Sequence, residues 1–297
     1  MRVSLITCVA AVISLGIAVV AFAQATAKKS PRFVKSRDGT SIAYDQTGAG
    51  PVVILVAGAL SARSANGRLA PLLESSFTVI SYDRRGRGDS GDTRPYAVQR
   101  EVEDIEALID ASGGSAFVFG SSSGAALALE AAARLPEKVK RAVLFEPPFI
   151  TDASRSPVPS DFQAKLAELL SADRRGDAVE LFMTTAVGVP TEAVAQMRQS
   201  PIWPSMEKLA PTLAYDMAVM GDTLFGRPLP AERWRSAVQP ILVLDGDQSD
   251  AWLRHSAESL AKLLPHAKYQ SLPGQNHSAS FTAPQVLAPV LVEFFLH

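Results

Sequence analysis

From Arg32 onward, short apolar runs alternate with segments whose apolar residues recur at helical spacing. "RFVKSRDGTSIAYDQTG" predicts a β-hairpin that turns at Asp38-Gly39, a dipeptide suited to the positive φ angles of a tight turn. "PVVILVAG", Pro51 to Gly58, is apolar without alternation, as a strand buried on both faces should be. Ser64 to Leu73 has a helical pattern that Gly67 and Pro71 weaken, and "FTVISYD", Phe77 to Asp83, reads as a second buried strand. Val102 to Ile109 predicts a helix, Ala116 to Phe119 a strand, Ala125 to Leu135 a helix, and "RAVLFEPP", Arg141 to Pro148, another strand. Near the C-terminus come "PILVLDGD" (Pro240 to Asp247), a helix over Ala251 to Leu264, the strand "AKYQSLPG" and a helix over Ala283 to Phe295. Alternating strands and helices predict an α/β fold: a mostly parallel central sheet with helices on both faces.

The alternation stops between Phe149 and Ala237. That stretch is helical in pattern, is broken by Pro190, Pro201, Pro204, Pro211 and Pro228, and contains no good strand. It predicts a helical cap, 149–237, inserted after one strand of a core made from 28–148 and 238–297. Met183, Met197, Met206, Met217 and Met220 lie there with Phe182, Trp203, Phe225 and Trp234. Such side chains fill contacts between helices, and on a pocket wall they adapt to apolar ligands.

The N-terminus departs from this pattern. One Arg precedes an uncharged run from Val3 to Phe22, followed by small residues in an A-x-A arrangement, at Ala21-Phe22-Ala23 or Ala25-Thr26-Ala27. Residues 1–27 therefore read as a secretory signal peptide, with an uncleaved membrane anchor as the alternative, and the chain is expected to be exported, periplasmic or secreted. The one cysteine, Cys8, lies in this segment, so the mature chain has no thiol for disulfides, catalysis or metal binding. Net charge is −1 over 297 residues, which gives no electrostatic reason to expect a nucleic-acid partner. "DRRGRGD", Asp83 to Asp89, is locally basic but short and interrupted by acids.

The most informative motif is "GSSSG", Gly120 to Gly124. In isolation it resembles a flexible linker. Its flanks are a strand-like run and a helix-like run with no spacer, which is the context of a nucleophile elbow, Gly-x-Ser-x-Gly, with Ser122 central. Side chains at Gly120 and Gly124 would collide with the neighbouring strand and helix.

Taken in order, "AGA" (Ala57-Gly58-Ala59), "DRRGRGDS", "GSSSG", a strand followed by a helical insertion, "PILVLDGD" and a late "GQNH" resemble the α/β-hydrolase superfamily from Arg32 to the C-terminus. The resemblance implies a helical cap over the C-terminal edge of the sheet and a Ser–His–acid triad. Ser122 would be the nucleophile and His277, in the loop after the last strand, the base. His255 falls in a predicted helix, His266 before a strand and His297 at the terminus, and none of the four has metal-ligand spacing. The superfamily's usual position for the acid, about three residues past the glycine of "PILVLDG", holds Ser249. A loop one residue longer would bring Asp250 into place, and Asp250 is preferred. A second branch puts the acid after the preceding strand, where Glu146 stands, and Asp247 is the third alternative. The oxyanion hole would use the backbone amides of Ser123 and Ala59. Related enzymes often have His-Gly where this chain has Ala57-Gly58.

Three motifs mislead. Gly86 to Gly91 spells G-x-G-x-x-G, but Asp92 to Tyr96 separate it from the next helix, unlike a dinucleotide fold. Arg87-Gly88-Asp89 is the adhesion tripeptide within the same turn. Asn276-His277-Ser278 fits a glycosylation sequon, yet a glycan there would block the expected base.

The expectation is a serine hydrolase, esterase-like, acting on a small apolar acyl substrate with no metal or organic cofactor. The alternatives are carbon–carbon hydrolysis, cofactor-free perhydrolysis or lyase chemistry on the same triad, and a non-catalytic homologue that binds a small ligand. The residues leave the substrate and the oligomeric state open.

Overall fold

The computed structural model describes residues 30–297. The 1–27 segment with Cys8 lies outside the described residues. No helix among the described residues is long and apolar enough to cross a membrane.

Eight strands form one sheet: β1 (Arg32–Lys35), β2 (Ser41–Gly48), β3 (Val52–Val56), β4 (Thr78–Tyr82), β5 (Ala116–Ser121), β6 (Val139–Phe145), β7 (Ile241–Gly246) and β8 (Ala267–Leu272). Their spatial order is β1-β2-β4-β3-β5-β6-β7-β8. The β1–β2 and β2–β4 pairs are antiparallel and all others parallel. Helices α1 (Ala70–Leu73), α2 (Val98–Asp110) and α3 (Ser123–Arg134) precede β6. The segment between β6 and β7 holds only helices: α4 (Phe162–Ser171), α5 (Arg175–Leu181), a π-helical turn (Phe182–Val187), α6 (Thr191–Met197), α7 (Trp203–Leu209), α8 (Leu213–Met220) and α9 (Ala231–Trp234), with short 3-10 turns. The last helices are α10 (Ala251–Leu263), α11 (Ala279–Thr282) and α12 (Pro284–Leu296). This is the mostly parallel α/β architecture that the alternation predicts.

The apolar runs are explained by two cores, one on each face of the sheet. Ile54, Val56, Ile80, Val118, Leu144 and Val243 face one cluster with α2, α3, α10 and the inserted helices. Val53, Leu55, Val79, Phe119, Val143 and Leu242 face the other, with α1 and α12. Alternate residues of one strand thus enter opposite cores, so neither face can be polar. The inserted helices share the first core: Met206, Met217 and Met220 are buried in it, and Met183 and Met197 pack against it. Residues Pro31–His297 form one compact unit.

One element differs from expectation. Ser64 to Leu73 is not a continuous helix but a 3-10 turn (Arg63–Asn66) and the four-residue α1, separated at Gly67. Pro71 sits in the first turn of α1, where its missing N–H costs nothing.

Register places the site. Val56 pairs with Gly120, Ser121 with Phe145, and Phe145 with Leu244. The carboxyl ends of β3, β5, β6 and β7 therefore end side by side. β3 is flanked by β4 on one side and β5 on the other, a topological switch point, and ligands of open α/β sheets bind outside strand carboxyl ends there.

Candidate active site

Four described non-glycine residues have positive φ: Leu60 (53°), Ser122 (55°), Glu146 (48°) and Asp173. Three of them follow the carboxyl ends of β3, β5 and β6. Such angles cost about 1–3 kcal/mol each and persist where the surroundings impose them, commonly at functional sites.

Ser122 links β5 directly to α3, with φ 55° and ψ −129°. Its N–H donates to the Phe145 carbonyl (2.9 Å), and its carbonyl accepts from Ala125 (2.8 Å). The turn closes because its flanks lack side chains. A Cβ on Gly120 would lie 2.2 Å from the Gly124 oxygen, and one on Gly124 would lie 2.3 Å from the Val56 oxygen. "GSSSG" is thus a sharp strand-to-helix elbow and not a linker. Ser122 Oγ makes no hydrogen bond to His277 among the described residues. In unliganded active sites such contacts are commonly long.

His277 lies in the loop after β8, which is pinned to the end of β7. Gln248 N–H donates to the Gln275 carbonyl (2.8 Å), and Gly274 N–H donates to Asp247 Oδ1 (2.8 Å). A Cβ on Gly246 would lie 2.3 Å from the Gln275 oxygen, so this approach needs glycine. The imidazole Nδ1 is 2.5 Å from Glu146 Oε2, and the ring lies nearly parallel to Phe145, with centroids 6.5 Å apart. A carboxylate there fixes the proton on Nδ1, leaving Nε2 as acceptor. The His277 side chain is 35% exposed and Glu146 is fully buried, so the imidazole meets solvent while its carboxylate partner does not.

The carboxylate on the imidazole is therefore Glu146, not the preferred Asp250. Glu146 Oε1 accepts from Gly246 N–H (2.7 Å) and Ser249 Oγ (2.5 Å). Ser249 thus occupies the usual acid position and holds the acid that lies elsewhere. Asp250 is exposed at the N-cap of α10, and Asp247 is exposed and spends Oδ1 on Gly274 and Gln248. The loop after β7 buries its serine and turns both aspartates out.

Gly58 lies against the elbow: a Cβ there would be 3.0 Å from the Ser121 oxygen and 3.2 Å from Ser122 Cβ. The Ala59 N–H donates to no backbone carbonyl among the described residues. Ser123, the first residue of α3, has an N–H with no intrahelical acceptor. Both amides belong to segments that adjoin Ser122. No group of three or more His, Cys, Asp or Glu suited to a metal occurs among the described residues.

These features form a recognisable set: an elbow serine on β5, a buried carboxylate after β6 and an imidazole after β8. The alpha/beta hydrolase family pattern matches residues 53–290. The chain belongs to that family. A solved structure of an alpha/beta hydrolase from Sphaerobacter thermophilus is 55% identical and covers 89% of this chain and 100% of its own, with TM-score 0.83. A Mycobacterium tuberculosis protein named "Putative non-heme bromoperoxidase BpoC" is 26% identical over 270 residues, 86% of this chain and 97% of its own. The 2-(acetamidomethylene)succinate hydrolase of Mesorhizobium japonicum is 25% identical over 257 residues, 84% of this chain and 89% of its own. This hydrolase family acts on small molecules, and the chain is a hydrolase of that fold.

Sequence reasoning missed the loop after β4. "DRRGRGD" is locally basic and interrupted by acids, yet Arg84, Arg85 and Arg87 are all buried. Arg84 makes a bidentate pair with Glu101 (2.6 and 2.7 Å), and Arg85 one with Asp104 (2.8 and 2.7 Å). Arg84 and Arg87 both reach Asp216 on α8. The loop reaches α2 only after a gap, Asp83 to Ala97, so it is no dinucleotide turn. Asn276 Oδ1 accepts from Ser278 N–H (3.0 Å), closing a local turn beside His277.

Proposed function

We propose that the protein hydrolyses carboxylic esters or similar acyl compounds through Ser122, His277 and Glu146. The supporting observation is the Nδ1–Glu146 contact, which leaves Nε2 facing away from the buried acid on the strand edge that carries the elbow. Ser122 Oγ attacks the carbonyl carbon as His277 Nε2 takes its proton. The tetrahedral oxyanion accepts hydrogen bonds from the amides of Ser123 and Ala59. The imidazolium returns the proton to the leaving alcohol, and water then repeats the sequence on the acyl-enzyme. Glu146 stays ionised, fixes the tautomer and balances the imidazolium. The apolar residues of the inserted helices support an apolar acyl group, and residues 1–27 support export.

Fluorophosphonate labelling of the purified chain tests this reading. The wild type should label, and Ser122→Ala and His277→Ala should not. A folded wild type that stays unlabelled and inert towards p-nitrophenyl acetate overturns it. The relative named as a bromoperoxidase favours a second reading, perhydrolysis. Peroxide attacking the same acyl-enzyme would give a peracid, which oxidises bromide to hypobromous acid; with acetate, bromide and peroxide supplied, monochlorodimedone bromination detects it, and Ser122→Ala should abolish it.

A further inference from the structure

We propose that Arg87 and Asp216 are positioning residues for the oxyanion hole, so that inserted helix α8 sets the alignment of both donor amides. This rests on the acyl-transfer reading above and goes beyond it. Arg87 Nη1 donates to the Gly58 carbonyl (2.6 Å) and the Ser61 carbonyl (3.2 Å). The Gly58 oxygen and the Ala59 N–H belong to one peptide group. That peptide is trans, since the described cis bond is Arg94-Pro95. Oxygen and N–H therefore point in opposite directions. A guanidinium gripping the oxygen fixes the direction of the N–H on the other side. It also polarises the amide, because hydrogen bonds in series strengthen one another by about 10–30% each.

Asp216 closes the arrangement. Its Oδ2 accepts from Arg87 Nη2 (2.7 Å), and its Oδ1 accepts from Ser123 Oγ (2.8 Å) and Arg84 Nη1 (2.7 Å). Ser123 carries the second donor amide. One carboxylate on α8 therefore holds the side chain beneath one donor and the cation behind the other. All three charged side chains are about 1% exposed or less. Arg84 and Arg87 face Asp216 and Glu101, two charges of each sign, and the Tyr96 hydroxyl donates to Glu101 (2.8 Å). Among the nitrogens and carboxylate oxygens of these four charged side chains, Arg87 Nε alone is buried without a partner, and a buried network so nearly satisfied is rigid. The positive φ at Leu60 is consistent with a loop held in shape from behind.

A purely structural role is the alternative, and Arg85 provides the control. It is equally buried in the same loop and pairs with Asp104 and Asp38, but it makes no hydrogen bond to 57–61 or 122–123. The experiment measures kcat and KM with p-nitrophenyl acetate and Ki for 1,1,1-trifluoro-2-octanone, whose serine adduct places an oxyanion in the hole. Arg87→Lys and Asp216→Asn should lower kcat about tenfold to a hundredfold, part of the 10²–10³ that a lost oxyanion donor costs. KM should stay within about twofold and the ketone Ki should rise in step with the fall in kcat/KM. Arg85→Lys should lose stability and keep kcat within about twofold. Should Asp216→Asn not fold, Ser123→Ala removes one hydrogen bond to Asp216 and should lower kcat with the same signature. The inference is overturned if the Arg87 and Asp216 variants keep wild-type kcat, lose it no more than Arg85→Lys does, or change KM alone. A wild type that neither cleaves the ester nor binds the ketone removes the proposed function first and this inference with it.

Discussion

Buried carboxylates occur in two neighbouring regions, and they are satisfied in opposite ways. Around the loop after β4, Glu101 and Asp104 of α2 and Asp216 of α8 are each clamped by at least one guanidinium from that loop. At the end of β6, Glu146 is as deeply buried, but its partners are a backbone N–H, a hydroxyl and an imidazole. A guanidinium keeps its charge at every accessible pH, so the first region is locked. The second has no permanent cation in contact. Its electrostatic balance is completed only when His277 gains a proton, the change that acyl transfer requires of a base. On the proposed function, the same residue type is scaffold in one place and part of the chemistry in the other, and the partner decides which.

The comparison breaks most visibly at Glu146. Glu146→Gln keeps the shape and a hydrogen bond but removes the charge, and the amide can favour the wrong imidazole tautomer. kcat towards p-nitrophenyl acetate should fall about 10³–10⁴-fold, as for loss of the orienting acid in other triads. The denaturation midpoint should move little by comparison. Wild-type kcat in this variant would show that Glu146 belongs with the scaffold carboxylates.

The locked region should respond in the other quantity. Arg85→Met leaves Asp104 buried without its cation, and removing one partner of a buried pair costs about 3–5 kcal/mol. Urea unfolding should show that loss, and kcat per folded molecule should remain that of the wild type. A fall in kcat without a fall in stability would erase the distinction between the regions.

Acid should affect the two regions differently as well. Burial pushes the Asp216 carboxyl up, but Arg87, Arg84 and the Ser123 hydroxyl outweigh it and hold it below the ordinary value of 3.8. A carboxylate held lower in the folded state than in the unfolded one adds stability above the ordinary value, and that stability is lost as pH falls through the folded value. The wild type should therefore lose stability increasingly below about pH 4, and Asp216→Asn should lose less over the same interval. Equal slopes in urea titrations at several acid pH values would remove Asp216 from the acid limb.

Legibility followed the range of the interactions. The elbow at Ser122 was readable because Gly120 and Gly124 act within five residues and the strand and helix adjoin them. The sheet was readable because burial on both faces makes β3 apolar throughout and β4 and β7 largely so. Glu146 was legible only as an alternative to Asp250, because Glu146 and His277 are 131 residues apart and meet only through the β6–β7–β8 register. The burial of the arginine loop was not legible for the same reason. A basic run is ordinarily solvated, and this one is buried only because Asp38, Glu101, Asp104 and Asp216 come to it from β-turn, α2 and α8.

The smallest effect is expected where sequence order alone favoured the largest. Asp250 sits one position beyond the family's usual acid, and shifting the loop by one residue would have brought it to the imidazole. The loop after β7 instead turns Ser249 inward, because Glu146 Oε1 already waits beside the Gly246 N–H and a hydroxyl can donate to it. A second carboxylate at that point would meet the first with no cation between them, and like charges in a buried site repel. Asp250 is left at the N-terminus of α10, where a negative charge gains about 0.3–1 kcal/mol from the helix dipole. Asp250→Asn should thus keep kcat within about twofold and shift stability by no more than that amount. Loss of activity comparable to that of Glu146→Gln would mean that the loop rearranges in solution to the arrangement its sequence first suggested.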